Sequence, residues 1–292
     1  MGFFKSYIFY LKTFGLRKAF RLIMESRSGN KEILLRFVEN KKGLEIGGPS
    51  QSFLSNNQLP IYPYVKSLDN VNFSTKTIWN KSTDDEVFSF ENRIGKQMIM
   101  EASDLRNIKC ESYEFVVSSH VIEHLSNPIK SVMEMKRVLI TNGFIILVAP
   151  HKEATFDRKR TVTSLKHLID DYKDNIKEGD LSHLDLKEII SQYDFKLDPG
   201  VNGRDDFIKR TEQNMKNRAL HQHVFITETI IQLLDYCNLE IVLAEPKLSY
   251  GIVIVARKLV TSNVHDIRKN NSSFLSDFSD WRRLSPYDMD RN

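Results

Sequence analysis

Cysteine is scarce in this chain: there are two in 292 residues, Cys110 and Cys237, far apart and in no paired spacing. Free thiols in a reducing cytoplasm are the simplest reading, and a disulfide framework has nothing to build on. Long apolar runs are missing as well. No eighteen consecutive apolar residues occur, so no membrane span is expected. Lys5 and Lys12 interrupt the apolar residues at the start, so no secretory signal is read there. Met1-Gly2-Phe3-Phe4-Lys5-Ser6 fits a myristoylation pattern only formally. Internal repeats and low-complexity tracts are absent. The body of the chain also lacks basic excess. Residues 1–43 carry a charge of +7, and the remaining 249 residues carry −3. That argues against a nucleic-acid partner. The basic leader reads as one or two amphipathic helices with apolar Phe14, Leu16, Phe20, Leu22 and Ile23. Contact of residues 1–25 with an acidic membrane surface is one reading. A helix capping the main domain is the preferred one.

From residue 43 a strand–helix alternation sets in. Strands are expected at 44–46, 65–68, 97–100, 113–118 and 144–149, with a helix over 127–139 that has Pro128 in its first turn. After Pro150 the pattern breaks. Residues 151–221 are polar and charged, with helices expected near 163–175 and 184–193. The alternation resumes with a helix at 227–238 and strands at 240–244 and 250–257, which can pair as a hairpin. The organisation expected is therefore a leader (1–42), a sheet domain in two parts (43–150 and 222–259), a helical insertion (151–221) and a polar tail (260–292) that is extended or poorly ordered. Strands alternating with helices predict a doubly wound, mostly parallel α/β sheet.

Open parallel sheets bind ligands beyond the carboxyl ends of their strands. The residues expected there form a defined set. Glu45, Gly47 and Gly48 follow strand one, where two residues without side chains let the backbone turn tightly against a small molecule. The Glu45 carboxylate would repel a phosphate, so it is expected to organise the turn or face a cationic ligand. Asp69 ends strand two, placed to accept from the hydroxyls of a ribose. Glu101 and Ala102 follow strand three, and Ser119 and His120 follow strand four. The G-x-G-x-x-G of a nicotinamide-binding fold is lacking at 45–52.

In this set the chain resembles the class I S-adenosylmethionine-dependent methyltransferases, over about residues 40–150 and 222–258. The resemblance implies a Rossmann-like, seven-stranded sheet with an antiparallel last strand and S-adenosyl-L-methionine as cofactor. It implies that the strand-one motif wraps the methionine part, Asp69 the ribose and Glu101-Ala102 the adenine. The segment from Ser118 to Leu125 looks like the family's segment after strand four. Gly48-Pro49-Ser50 replaces the usual later glycines, and Glu101 stands where Asp is commoner.

Seven of the eight histidines lie between 120 and 223. His151 directly follows strand five and is the first choice for a general base, then His221 or His223. Arg158 and Arg160 are expected to clamp a phosphate or carboxylate, and His167 and Tyr172 to join them in binding substrate. His167 and His183 also lie beside apolar helix residues, where packing explains them. His221 and His223 would point the same way in a strand, with Glu123 and His124 as further ligands, but no spacing is diagnostic and no metal is assigned. The stretch is similar to methyltransferases found with bacterial surface-polysaccharide enzymes. Together these residues imply a cytoplasmic enzyme methylating a small-molecule or sugar acceptor at oxygen. The alternative is a non-catalytic ligand-binding or assembly partner that keeps the fold.

Overall fold

A computed structural model describes residues 11, 15, 16, 31–79, 86–247, 251–260 and 264–291. Most of the basic leader lies outside these residues. A helix α1 (Lys31–Val38) leads into strand β1 (Lys42–Ile46), followed by β2 (Ser67–Asn72), β3 (Val87–Phe90), β4 (Arg93–Ile99), β5 (Tyr113–Ser119) and β6 (Leu139–Ala149). The last two strands are β7 (Glu240–Lys247) and β8 (Gly251–Arg257). They form one eight-stranded sheet in the order β3-β4-β2-β1-β5-β6-β8-β7. β4, β2, β1, β5 and β6 are parallel, whereas β3, β7 and β8 pair antiparallel. The strand order reverses between β1 and β5, which places the ligand crevice at the ends of those two strands.

The central parallel strands β5 and β6 are buried on both faces and read as continuous apolar runs, Phe115-Val116-Val117 and Ile145 to Ala149. On one face lie Leu44, Ile46, Val116 and Ile145 with the helices α2 (Pro128–Val138) and α7 (Thr227–Tyr236). On the other lie Phe53, Tyr62, Phe90, Phe115 and Val148 with α1. α2 starts where the sequence sets it: Asn127 caps it by accepting from the backbone of Lys130 at 3.0 Å, and Pro128 opens the first turn.

Three features differ from expectation. The sheet has an eighth strand, because residues 87–99 fold as a β3–β4 hairpin where the alternation suggested a single short strand. β2 begins and ends later than residues 65–68 and runs to Asn72. The tail is not loose. It forms α8 (Val264–Leu275), α9 (Asp280–Leu284) and α10 (Asp288–Arg291), and buries Ile267, Asn271, Trp281 and Tyr287. Its apolar residues are few but sit at helical spacing, so the polar composition masked them. Between β6 and α7 the chain leaves the sheet for α3 (Leu165–Lys173), α4 (Leu186–Gln192), α5 (Arg204–Glu212) and α6 (Asn214–Asn217). Ile189, Tyr193, Val201, Phe207 and Leu220 give this part a small core of its own.

One buried carboxylate of the tail gathers several partners. Asp290 accepts from Thr227 Oγ1 (2.7 Å) and Ser285 Oγ (2.7 Å), and lies 3.2 Å from His151 Nε2. Replacing Asp290 by alanine leaves buried donors without a partner, so chemical denaturation should show a loss of about 3 kcal/mol.

Candidate active site

β1 ends in a turn that only glycine can make. Gly47 has φ +87°, and a Cβ there would stand 2.4 Å from Val121 Cγ2. The backbone therefore closes on the segment after β5 without a side chain between them. The turn is tied from both sides. Gly48 N donates to Asn70 Oδ1 (3.0 Å), and Asn72 Nδ2 donates to Gly48 O (2.7 Å). Beneath it Glu45 is fully buried on the opposite face from Leu44 and Ile46. Glu45 accepts from Ser50 Oγ (2.6 Å), Ser50 N (3.1 Å) and Tyr62 Oη (2.9 Å). Of the two roles open to Glu45, the geometry selects organising the turn.

Burial raises the Glu45 carboxyl from 4.5 to about 7, against the hydrogen bonds of Ser50 and Tyr62. This sets a pH dependence. Below pH 4.5 the group is protonated folded or unfolded and costs nothing. Between pH 4.5 and 7 the unfolded chain ionises first, so stability falls as pH rises, by about 3 kcal/mol once pH exceeds 7. Denaturant midpoints measured from pH 4.5 to 8 should show this fall, and Glu45→Gln should flatten it.

A cavity of about 650 Å³ opens beside the turn. Ile46 and Gly47 line it from β1, Asn72 and Phe73 from β2, and Ser119, His120 and Val121 from β5. Glu101 and Ala102 lie on the β4 side, facing Arg218. Arg218 bridges Glu101 (2.7 Å) and Glu178 (2.9 Å) and stacks over the Phe73 ring (5.2 Å). Trp79, largely exposed, stands at the rim 5.1 Å from the His124 ring.

The far wall carries the ionisable groups. Glu123, on the short turn after β5, is buried with His120, His124 and His221 at 3.6, 3.8 and 4.0 Å from Oε1. Burial pushes its carboxyl up, but the three imidazoles outweigh this and hold it below the ordinary range. Burial, aided by the neighbouring His221, lowers His124 to about 4. His221 Nδ1 lies 2.6 Å from Asp157 Oδ2. A carboxylate only accepts, so Nδ1 carries a proton toward Asp157, and Nε2 is the nitrogen left on the side of Glu123, 4.0 Å from its Oε1. Asp157 is fixed in turn by Arg160 Nη1 (2.7 Å), which also donates to His221 O (2.8 Å).

Of the residues expected here, Gly47, Glu101, Ala102, Ser119, His120 and His221 line the cavity, and Gly48 shapes the turn behind it. Asp69 does not reach it. Because β2 extends to Asn72, Asp69 lies inside the strand opposite Leu44, accepting from Lys96 N and Tyr113 Oη. His151 is fully buried, stacked on Tyr287 and hydrogen-bonded through both nitrogens, to Asp290 and from Glu153 N. It anchors the tail and is closed to substrate. His223 is buried outside the cavity, beside Asp171, so it does not point with His221. Arg158 is paired with Asp194 and Arg160 with Asp157, which leaves neither to clamp an anion. His167 pairs with Asp171, and Tyr172 lies on the surface away from the cavity. Asn72, Phe73, Trp79, Asp157, Glu178 and Arg218 were not foreseen. Asp157 and Arg160, three apart, carried the one local signal, an ion pair on a single turn.

Residues 58–147 match the family model described as "Methyltransferase domain". The chain carries a methyltransferase domain. The match runs from the segment before β2 to β6, and the cofactor of the methyltransferase is S-adenosylmethionine. The crevice fits that group. Gly47 presents bare backbone where any Cβ would meet Val121, and Glu101, Ala102 and Ser119 border the same space. Among solved structures, a SAM-dependent methyltransferase of Methanosarcina mazei is 17% identical with a TM-score of 0.45, over 78% of this chain and 98% of that one. An S-adenosylmethionine-dependent methyltransferase of Mesorhizobium loti is 10% identical with a TM-score of 0.45, over 77% and 96%. Scores at this level carry no argument about activity. No curated protein matches the chain.

Proposed function

We propose that this methyltransferase acts on a hydroxyl of a small-molecule or sugar acceptor, in the cytoplasm and in surface-glycan or related metabolism. The observation that carries this reading is the His221–Asp157 pair on the cavity wall, 2.6 Å apart. When bound, S-adenosylmethionine supplies an electrophilic methyl group with a good leaving group. Backbone at Gly47 and the side chains of Glu101 and Ser119 would hold it. The protein's own work is alignment, exclusion of water and removal of one proton. His221 Nε2 accepts the proton of the acceptor hydroxyl. Asp157 holds the ring by Nδ1 and stabilises the imidazolium that results, and Arg160 keeps Asp157 in place.

The rim favours a polyhydroxylated acceptor. Phe156 and Trp79 offer flat apolar faces, beside the ion pair of Asp198 with Arg210. The charge of −3 outside the leader disfavours nucleic acid. The test is methyl uptake from labelled S-adenosylmethionine by a panel of nucleotide sugars, free sugars and amines. Uptake on a sugar oxygen is expected. Uptake confined to nitrogen acceptors would contradict the proposal.

A further inference from the structure

Behind the wall that carries His221, four side chains from three separate segments converge. Helix α3 supplies His167 and Asp171, the loop before α4 supplies His183, and the strap returning to the sheet supplies His223. Asp171 Oδ1 is 3.1 Å from His183 Nδ1. Asp171 Oδ2 is 3.2 Å from His167 Nε2 and 3.8 Å from His223 Nε2. The rings of His167, His183 and His223 have centroids 5.6 to 5.8 Å apart.

Hydrogen bonding accounts for His183, between Asp171 and Gln222, but not for the rest of this arrangement. His223 is 0% exposed, yet among the described residues neither ring nitrogen makes a hydrogen bond of good geometry, and its one other polar approach is to the Ser126 backbone. Asp171 Oδ2 is buried and lies 3.2 Å from His167 Nε2, but it too makes no hydrogen bond of good geometry. A fully buried imidazole and a carboxylate oxygen left in this state cost several kcal/mol unless something else binds them.

We propose that His167, His183, His223 and Asp171 hold one divalent transition-metal ion of the zinc class. Three imidazoles and one carboxylate are a donor set suited to zinc. Ligands about 2.0 Å from a tetrahedral ion stand about 3.3 Å from one another. The separations from Asp171 to the imidazoles, 3.1, 3.2 and 3.8 Å, lie near that edge, and ligand atoms of His167, Asp171 and His183 all lie within 4.8 Å of one another, with His223 bordering that set. The surroundings have the form of a second coordination layer. His183 Nε2 lies 3.1 Å from Gln222 Oε1, so it donates there and leaves Nδ1 for the ion. A cavity of about 420 Å³ bordered by His167, His183 and Gln222 gives access from outside. The ion closes a four-ligand structural site that ties α3 and the loop before α4 to residues 221–223, the strap on which His221 stands. A second cluster, Glu123, His124 and His221, faces the active cavity and belongs to the chemistry above.

The test uses the full chain carrying a tag without histidine. Elemental analysis should find about one zinc per chain, and after chelation Co²⁺ should restore one equivalent with the absorption bands of a tetrahedral site. His167→Ala and His183→Ala, both at positions open to the second cavity, should each reduce bound metal to background, with circular dichroism reporting the fold. His223→Ala should do the same if it folds, and the two milder variants decide the matter if it does not. A wild-type chain that takes up neither Zn²⁺ nor Co²⁺ stoichiometrically would overturn the proposal. So would an ion that survives His167→Ala and His183→Ala, or one lost only on His221→Ala. None of these outcomes depends on methyl transfer.

Discussion

His221→Ala should lower kcat by about 10²- to 10⁴-fold, the range a positioned general base contributes, while the affinity for S-adenosylhomocysteine changes little. The separation follows from where the side chain stands. His221 lines the cavity, and its Nδ1 is spent on Asp157 at 2.6 Å, which leaves Nε2 as the nitrogen to meet an acceptor. The glycine turn that meets the cofactor lies on β1, whereas His221 comes from the strap after α6. Asp157→Asn should fall between wild type and His221→Ala. An amide can donate to Nδ1 and so favours the wrong tautomer. A KM effect with unchanged kcat in His221→Ala would assign the residue to acceptor binding alone.

Arg218→Met should destabilise the fold by about 3–5 kcal/mol, the usual cost of removing one partner from a buried ionic network. Arg218 is 6% exposed and carries a positive φ of 51°. Its guanidinium holds Glu101 and Glu178 together at 2.7 and 2.9 Å. Burial already raises both carboxyls, and Arg218 is what opposes that rise. Without it both acids move further up, so their folded forms bind protons more tightly than their unfolded forms do. The stability cost is then absent below the ordinary carboxylate range and grows as pH rises through the raised folded values. Thermal melts of Arg218→Met should lie closer to wild type at pH 5 than at pH 8. A pH-independent loss would mean that packing, not charge, is what Arg218 provides.

The fold was legible where periodicity and punctuation agree. The apolar run of β5, the Asn127-Pro128 start of α2 and the Glu45-Ile46-Gly47 strand end each combine a burial pattern with a local stop signal, and each lies where expected. β3 and β4 carry exposed Ile94 and Lys96 beside buried Phe88 and Phe90, and this edge hairpin is too short and mixed to stand out. The tail hid behind its composition. At the site, residues expected just past a strand end line the cavity where that end lay within one residue of expectation, as with Glu101 and Ser119. Asp69 was displaced because β2 runs three residues beyond it, a register that tertiary pairing with β1 sets. The histidines were legible as a concentration but not as roles. His151, His221 and His223 differ in the partner each meets more than 50 residues away, at Asp290, Asp157 and Asp171. No local pattern in the sequence encodes that.

The central claim is that the crevice closed by the Gly47 turn holds S-adenosylmethionine. Isothermal titration of the full chain with S-adenosylhomocysteine tests it most directly. Wild type should bind about one equivalent, in line with one crevice at the ends of β1 and β5. Gly47→Val should abolish or sharply weaken the heat, because its side chain takes the space between the turn and Val121. Absence of binding by folded wild type, or equal binding by folded Gly47→Val, would contradict the account.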